Sequence, residues 1–157
     1  MKKTDSLTDT TIIRNDGARI ERWVAAWKLI EKNPWIGYGT GQEKRVLFEK
    51  YGEMGLTTTL EQGYDSHNQF IAFTLQSGIF GLLAFIAMML YGFYLSLKGR
   101  NYIYFSFLFV ITGICTIDNF LEVNKGIFFF TFFNAFFFLS IAPLIAKETK
   151  ISNHSEV

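Results

Sequence analysis

Residues Ile79–Leu97, IFGLLAFIAMMLYGFYLSL, form a run of 19 residues without a charged side chain. At a rise of about 1.5 Å per residue, a helix of this length covers roughly the 30 Å hydrocarbon core of a bilayer. The run therefore predicts a membrane-spanning helix, and the fold class that follows is an all-α membrane protein.

Two further apolar runs follow, YIYFSFLFVITGICTI at 102–117 and GIFFFTFFNAFFFLSIAPLIA at 126–146. The first of these is short and would fit a bilayer only with local thinning or with its ends at the interface. The second is long enough, and we expect Pro143 and then Lys147 to end it. About three spans are expected, near 79–97, 102–117 and 126–146.

The segments beside these runs have their own predicted roles. Residues Gln69–Ser77 are apolar and should form an approach helix or extend the first span. Thr131 and Asn134 lie inside the third run, where side chains of this kind form hydrogen bonds between helices.

The charges divide the chain into a water-facing and a lipid-facing part. Residues 1–66 carry ten Lys and Arg against ten Asp and Glu, whereas residues 67–157 carry five against four. We therefore expect a soluble region at 1–66, a membrane region at 67–146 and a polar tail at 147–157. Since no basic stripe exceeds its acidic neighbours, nucleic acid is not an expected partner.

The basic residues near the spans predict the orientation. Lys98 and Arg100 fill the first connection without an acidic partner, and Lys147 and Lys150 follow the third span. The second connection, DNFLEVNKG, is more acidic than basic. By the positive-inside rule the first connection and the tail are cytoplasmic, so residues 1–66 are expected on the extracytoplasmic side.

The N-terminal sequence, MKKTDSLTDTTIIRNDG, has no apolar region of the length that a secretory signal requires. Nothing in it would export the soluble region. We therefore expect the chain to be the C-terminal portion of a larger polytopic protein whose earlier membrane helices deliver this loop.

The soluble region is predicted to begin with an amphipathic helix near 18–32. Asp16 can cap it, and Pro34 should end it. Apolar residues recur at three- and four-residue spacing and form one stripe: Ile20, Trp23, Val24, Trp27 and Ile30.

The next segment, NPWIGYGTG at 33–41, has alternating glycines that favour a turn. A phosphate-cradling loop is the weaker alternative, because the P-loop lysine and hydroxyl are missing. A short helix through Phe48 is expected after it, and the TTT stretch at 57–59 is expected to be extended or mobile.

Four motifs in order carry a resemblance. ARIERW at 18–23, NPWIGYGTG at 33–41, SHNQF at 66–70 and SGIFGLL at 77–83 together resemble the O-antigen ligase and polymerase family of bacterial membrane proteins. The resemblance covers about residues 17–97. In the family these motifs span the large extracytoplasmic loop and the helix after it.

The resemblance implies a glycosyltransferase of the bacterial inner membrane, with the loop in the periplasm. Its donor would be a glycan linked to undecaprenyl pyrophosphate, its acceptor a lipid or another glycan, and it would use no cofactor, nucleotide sugar or ATP. The family's N-terminal membrane helices are missing from this sequence, so the chain alone is expected to be inactive. Gln76 and Ser77 stand where many members have an acidic residue.

The candidate site residues follow from the motifs and from chemistry. Arg19 matches the family's loop arginine, and Arg22 lies one turn on; an arginine presents a planar fork of donors to phosphate oxygens. His67 matches the histidine of the His-Asn motif, beside Asn68. His67 is expected either to take the proton of the attacking sugar hydroxyl or to hydrogen-bond the pyrophosphate as imidazolium. We place Asn68 with the arginines at the pyrophosphate, and no metal site is predicted.

Structural alternatives exist for each of these residues. His67 can be an interfacial or helix-capping residue, and Arg19 a solvated helix residue. Trp23, Trp27 and Trp35 are expected to be packing residues or interfacial anchors. The alternative to an enzyme is a noncatalytic remnant or a small membrane scaffold subunit.

Overall fold

The computed structural model describes residues 19–155, without the side chains of residue 142 and residues 144–155. Over that range the regular structure is helical and contains no β-strand, in agreement with the predicted all-α class. The chain divides into two compact units, Met1–Leu82 and Leu83–Val157. The predicted helix cap Asp16 lies outside the described residues.

Three helices precede the long fourth helix in the described part of the first unit. Helix α1 covers residues 19–32 and ends before Pro34, as predicted. Helix α2, Glu43–Glu53, contains the helix expected around Phe48. Helix α3 is Thr57–Gln62.

The expectation that the TTT stretch is extended or mobile is wrong, because Thr57–Thr59 open helix α3. Threonine is a weak helix former in isolation, but tertiary contacts override that preference. Thr59 is buried, and its hydroxyl donates a hydrogen bond of 3.2 Å to the Glu21 carboxylate on α1.

The core of the first unit lies between α1, α2 and the first turns of the following helix. It consists of small and aliphatic side chains with one tyrosine: Ala25, Ala26, Leu29, Val46, Leu47, Tyr51 and Leu75. The two alanines allow the helices to approach closely, and removal of these apolar surfaces from water stabilises the unit.

Four of the five predicted stripe residues of α1 point away from this core, whereas Ile30 packs against it. Ile20, Trp23, Val24 and Trp27 are exposed, whereas Ala25, Ala26 and Leu29 on the opposite face are buried. The periodicity therefore predicted the helix correctly, and the structure assigns its smaller apolar face to the core.

Helix α4, Gln69–Lys98, is long and is broken at Gly78, whose φ of 64° and ψ of −164° are not helical. The break separates the predicted approach helix from the predicted first span. The turn after α1 lies against it: the Ile79 N–H donates to the Pro34 carbonyl at 2.8 Å, and the Tyr38 N–H donates to the Leu75 carbonyl at 2.7 Å.

Two glycines make this contact possible. A Cβ on Gly78 would lie 2.1 Å from the Trp35 carbonyl oxygen, and a Cβ on Gly37 would lie 2.6 Å from the Leu75 carbonyl oxygen. Both glycines also have positive φ, which side-chain-bearing residues rarely adopt. The NPWIGYGTG segment is thus a turn, as predicted, and its glycines permit close backbone packing.

The second unit contains the rest of α4, helix α5 (Tyr102–Ile117), a short 3-10 helix (Phe120–Glu122) and helix α6 (Asn124–Ser155). The Tyr104 hydroxyl on α5 donates to the Asn134 side-chain oxygen on α6 at 2.7 Å. The interhelical hydrogen bond predicted for Asn134 is therefore confirmed. Phe107 packs against four rings of α6: Phe129, Phe130, Phe133 and Phe137.

In the described part of the chain, α4 and the Asn124–Ile141 part of α6 are long and apolar enough to cross a membrane. Helix α5 has 16 residues and is shorter, so the span expected near 102–117 stays a prediction. The expectation that Pro143 ends the last helix is wrong, because α6 continues to Ser155. A proline removes one N–H from the helical ladder and can be accommodated by a bend.

Candidate functional site

The predicted residues Arg22 and His67 both contact the ring of Tyr64. The Arg22 guanidinium carbon lies 5.0 Å from the centroid of that ring, in a cation–π arrangement. The His67 ring meets it edge-on, with a centroid distance of 5.5 Å. Tyr64 therefore brings together an arginine from α1 and a histidine from the loop before α4.

Side chains on both sides of His67 fix the backbone of that loop. The Asp65 carboxylate accepts the His67 N–H at 3.1 Å. The Asn68 side-chain oxygen accepts the N–H groups of Phe70 and Ile71 at 3.0 and 3.1 Å and so caps α4. Between them His67 has a φ of 46°, a left-handed conformation that costs a non-glycine residue about 1 kcal/mol.

The same aspartate also lies beside the imidazole. Its Oδ1 is 3.7 Å from His67 Nδ1, and its Oδ2 is 3.8 Å from the Lys44 ammonium. The His67 side chain is one third exposed, with a relative accessibility of 33%. A carboxylate at this distance forms an ion pair with the ring when the imidazole carries a proton.

A second set of contacts anchors the loop to α1 and α2. The Ser66 hydroxyl donates to the Glu43 carboxylate at 2.5 Å, and the Ser66 N–H donates to the same oxygen at 3.2 Å. The Trp23 indole N–H donates to the Ser66 carbonyl at 3.0 Å. Glu43 and Ser66 are both buried, so this anchor is shielded from water.

Arg22, like Glu43, is a buried charged residue, and only 5% of it is exposed. Its Nε has no hydrogen-bond partner among the described residues, and neither does the hydroxyl of Tyr51, which is fully buried. Burial lowers the pKa of Arg22. Arginine nevertheless stays protonated in proteins.

An unpartnered buried donor costs about 1–3 kcal/mol, and more when it is charged. The Arg22 Nε and the Tyr51 hydroxyl are two such donors, and Arg22 is the charged group that acts most strongly on Tyr51. Burial raises the pKa of Tyr51, so the phenol keeps its proton. These two donors are groups of the kind that bind phosphate oxygens.

The other predicted residues lie at the margin of this arrangement. Arg19 is exposed one turn before Arg22, close enough that its charge contributes to the lowered pKa of Arg22. Asn68 is placed by its capping role, and its predicted contact with a substrate stays a prediction.

Gln76 stands where many members of the family that the motifs resemble have an acidic residue. In this chain it has a structural role. Its side-chain oxygen accepts the Gly41 N–H at 3.2 Å, and its carbonyl accepts the Gly39 N–H at 2.9 Å. An amide at this position therefore holds the glycine turn against α4.

Sequence reasoning missed Tyr51, Tyr64, Glu43 and Ser66. Tyr64 and Ser66 adjoin the His-Asn motif, and a search for aromatic and polar neighbours of that motif would have found them. Tyr51 and Glu43 come from α2, and no spacing in the sequence joins α2 to the loop.

Comparison with known proteins gives one match. The family model Wzy_C, described as O-Antigen ligase, matches residues 8–86, which is half of the chain and includes Arg22 and His67. No curated protein and no solved structure matches the chain.

Proposed function

Because the chain belongs to the O-antigen ligase family, we propose that it forms part of a membrane glycosyltransferase whose donor is a glycan linked to undecaprenyl pyrophosphate. The reaction joins that glycan to a lipid or to another glycan. The observation that carries the proposal is that Arg22 and His67 both contact the ring of Tyr64.

Arg22 binds the pyrophosphate in this proposal. When the bond between the sugar C1 and the phosphate oxygen breaks, negative charge develops on the leaving pyrophosphate. A buried guanidinium stabilises that charge more than it would in water, because the surrounding protein screens it weakly. The Tyr51 hydroxyl adds a second donor, and exposed Arg19 attracts the anionic headgroup.

His67 acts on the acceptor. An imidazole nitrogen takes the proton of the acceptor hydroxyl as its oxygen forms the new bond to the sugar C1, and undecaprenyl pyrophosphate leaves with the electrons of the broken bond. Asp65 beside Nδ1 stabilises the imidazolium that results. The alternative is that imidazolium His67 hydrogen-bonds the pyrophosphate directly.

The position of His67 suits a lipid-linked donor. His67 lies two residues before helix α4, which continues into the apolar run that begins at Ile79. Loop 1–66 is proposed to lie on the extracytoplasmic side of the inner membrane, on the strength of Lys98 and Arg100 in the first connection.

The test is His67→Ala and His67→Gln in the protein as the cell makes it, with glycan transfer measured from lipid-linked donor to acceptor. Both variants should lose at least about 100-fold of the rate, the contribution of a general base. His154→Ala, at the other histidine of the chain, is the matched control and should retain transfer.

Abundance of each variant is measured by immunoblot of the membrane fraction. Retained transfer in His67→Ala at normal abundance would refute the catalytic role and favour a noncatalytic membrane scaffold. A pH profile separates the two roles of His67. A base acts in its unprotonated form, so its rate rises with pH, whereas an imidazolium donor gives a rate that falls.

A further inference from the structure

The turn after α1 lies at the point where α4 resumes after its break. The Ile79 N–H donates to the Pro34 carbonyl, and Gly78 packs directly on the Trp35 carbonyl. Ile79 is also the first residue of the 19-residue uncharged run. The turn is therefore tied by its backbone to the start of the predicted span.

The side chains of this turn are apolar and exposed. Trp35 is 63% exposed and Ile36 is 76% exposed. Trp35 contacts the ring of Phe80, which is 65% exposed, at a centroid distance of 6.0 Å. Residues 33–42 contain no charged side chain, so no charge in the segment opposes its transfer out of water.

We propose that Trp35 and Ile36 insert into the interface of the lipid bilayer beside Phe80 and anchor the first unit to the membrane surface. The argument for lipid is continuity, because Phe80 belongs to the run predicted to cross the membrane and the exposed ring of Trp35 contacts the exposed ring of Phe80. An indole suits this depth, with an apolar body and a polar N–H near the headgroups.

The anchor has a consequence for the site. Helix α4 covers the distance from Asn68 to Gly78 at about 1.5 Å per residue, which places His67 roughly 15 Å from the anchored turn along the helix. The anchor thereby limits how far His67 can move from the membrane surface. The proposal does not depend on the reaction that His67 performs.

The experiment measures the depth of Trp35 in vesicles that contain the 157-residue chain. The chain has three tryptophans, so Trp23→Phe with Trp27→Phe leaves Trp35 as the sole tryptophan. The matched control, Trp27→Phe with Trp35→Phe, leaves Trp23, whose N–H is bonded to the Ser66 carbonyl. Each is compared in plain phosphatidylcholine and in phosphatidylcholine brominated near the top of its acyl chains.

We expect brominated lipid to lower Trp35 emission about twofold and to leave Trp23 emission nearly unchanged. Trp35 emission that is insensitive to brominated lipid but quenched by aqueous acrylamide would overturn the proposal, since Trp35 would then face water. Insensitivity to both quenchers would overturn it too, because another protein segment would then cover Trp35.

A second comparison avoids any change at Trp23. The single variant Trp35→Phe should remove most of the lipid-quenchable emission of the unaltered chain, and circular dichroism should show unchanged helix content. Undiminished lipid quenching in Trp35→Phe would contradict the proposal.

Discussion

Arg22 lies over the face of Tyr64, with 5.0 Å between the guanidinium carbon and the ring centroid, while its Nε has no hydrogen-bond partner in the described part of the chain. The ring holds the cation in place from one side without using its donors. A guanidinium held in this way is prepared for an anion, because its orientation is set before the anion binds.

Arg22→Lys should keep the positive charge but slow glycan transfer. A lysine ammonium has no planar fork and stacks less well on the ring, so we expect glycan transfer to fall about tenfold or more. Arg45→Lys is the control, since Arg45 is exposed on α2 and pairs with Gln42 and Glu49, which lie within four residues of it in the chain. Equal transfer rates in the two variants would contradict the role given to Arg22.

Gly78→Ala should destabilise the first unit by about 2 kcal/mol or more, because the added methyl group would collide with the Trp35 carbonyl and φ is positive. Gly52→Ala is the control. Gly52 lies within α2 with open space around it, so alanine there should stabilise the helix by about 0.5–1 kcal/mol. Thermal unfolding in detergent measures both. A Gly78→Ala protein as stable as Gly52→Ala would mean that the turn does not pack on α4.

The sequence predicted some elements of this structure and missed others, and the difference has physical causes. Pro34 and the uncharged run from Ile79 predicted where α1 ends and where α4 becomes apolar. Hydropathy could not say which face of α1 is buried, because an aromatic stripe suits lipid and protein interior equally. The helix at Thr57–Thr59 depends on burial of Thr59, which local propensity does not contain.

The candidate site was predictable in part for a similar reason. Arg22 and His67 come from motifs, and the structure brings both to Tyr64. Tyr51 contributes through the packing of α2 against α1, which no local pattern encodes. Long-range contacts of this kind require the fold.

Asn68 can be tested for two roles with two substitutions. Asn68→Ala removes the cap of α4 and should cost about 1 kcal/mol of stability, whereas Asn68→Asp keeps an oxygen that accepts the Phe70 and Ile71 N–H groups. If Asn68 also donates to the pyrophosphate, Asn68→Asp should be stable and yet transfer glycan poorly, because it loses the N–H donor and adds a negative charge. Normal transfer by a stable Asn68→Asp protein would limit Asn68 to capping.

Glu43→Ala should loosen the loop that carries His67. Ser66 would lose the carboxylate that accepts from both its hydroxyl and its N–H, although the hydroxyl also donates to the Asn68 carbonyl at 3.3 Å. Loss of a buried hydrogen bond of this kind costs about 1–3 kcal/mol. Hydrogen exchange at the Ser66 and His67 amides should accelerate. Glu49→Ala, which breaks only an exposed ion pair with Arg45, should leave that exchange unchanged. Equal protection in both variants would show that Glu43 does not hold the loop.

Tyr51→Phe tests separately whether the Tyr51 hydroxyl affects the stability of the fold and whether it affects glycan transfer. The Tyr51 hydroxyl is fully buried and has no partner among the described residues, so its removal should leave the free energy of unfolding unchanged or raise it by up to about 1 kcal/mol. Tyr38→Phe is the matched control: the Tyr38 hydroxyl donates to the Leu29 carbonyl at 2.9 Å, and its loss should lower that free energy by about 1 kcal/mol.

In glycan transfer, Tyr51→Phe rather than Tyr38→Phe should be the impaired variant. Tyr51→Phe should transfer about tenfold more slowly, since a donor to the pyrophosphate is lost, and Tyr38→Phe should transfer normally once its lower abundance is taken into account. A Tyr51→Phe protein that is destabilised as much as Tyr38→Phe would show that the hydroxyl has a structural partner. A stable Tyr51→Phe protein with normal transfer would leave Arg22 as the donor and remove Tyr51 from the site.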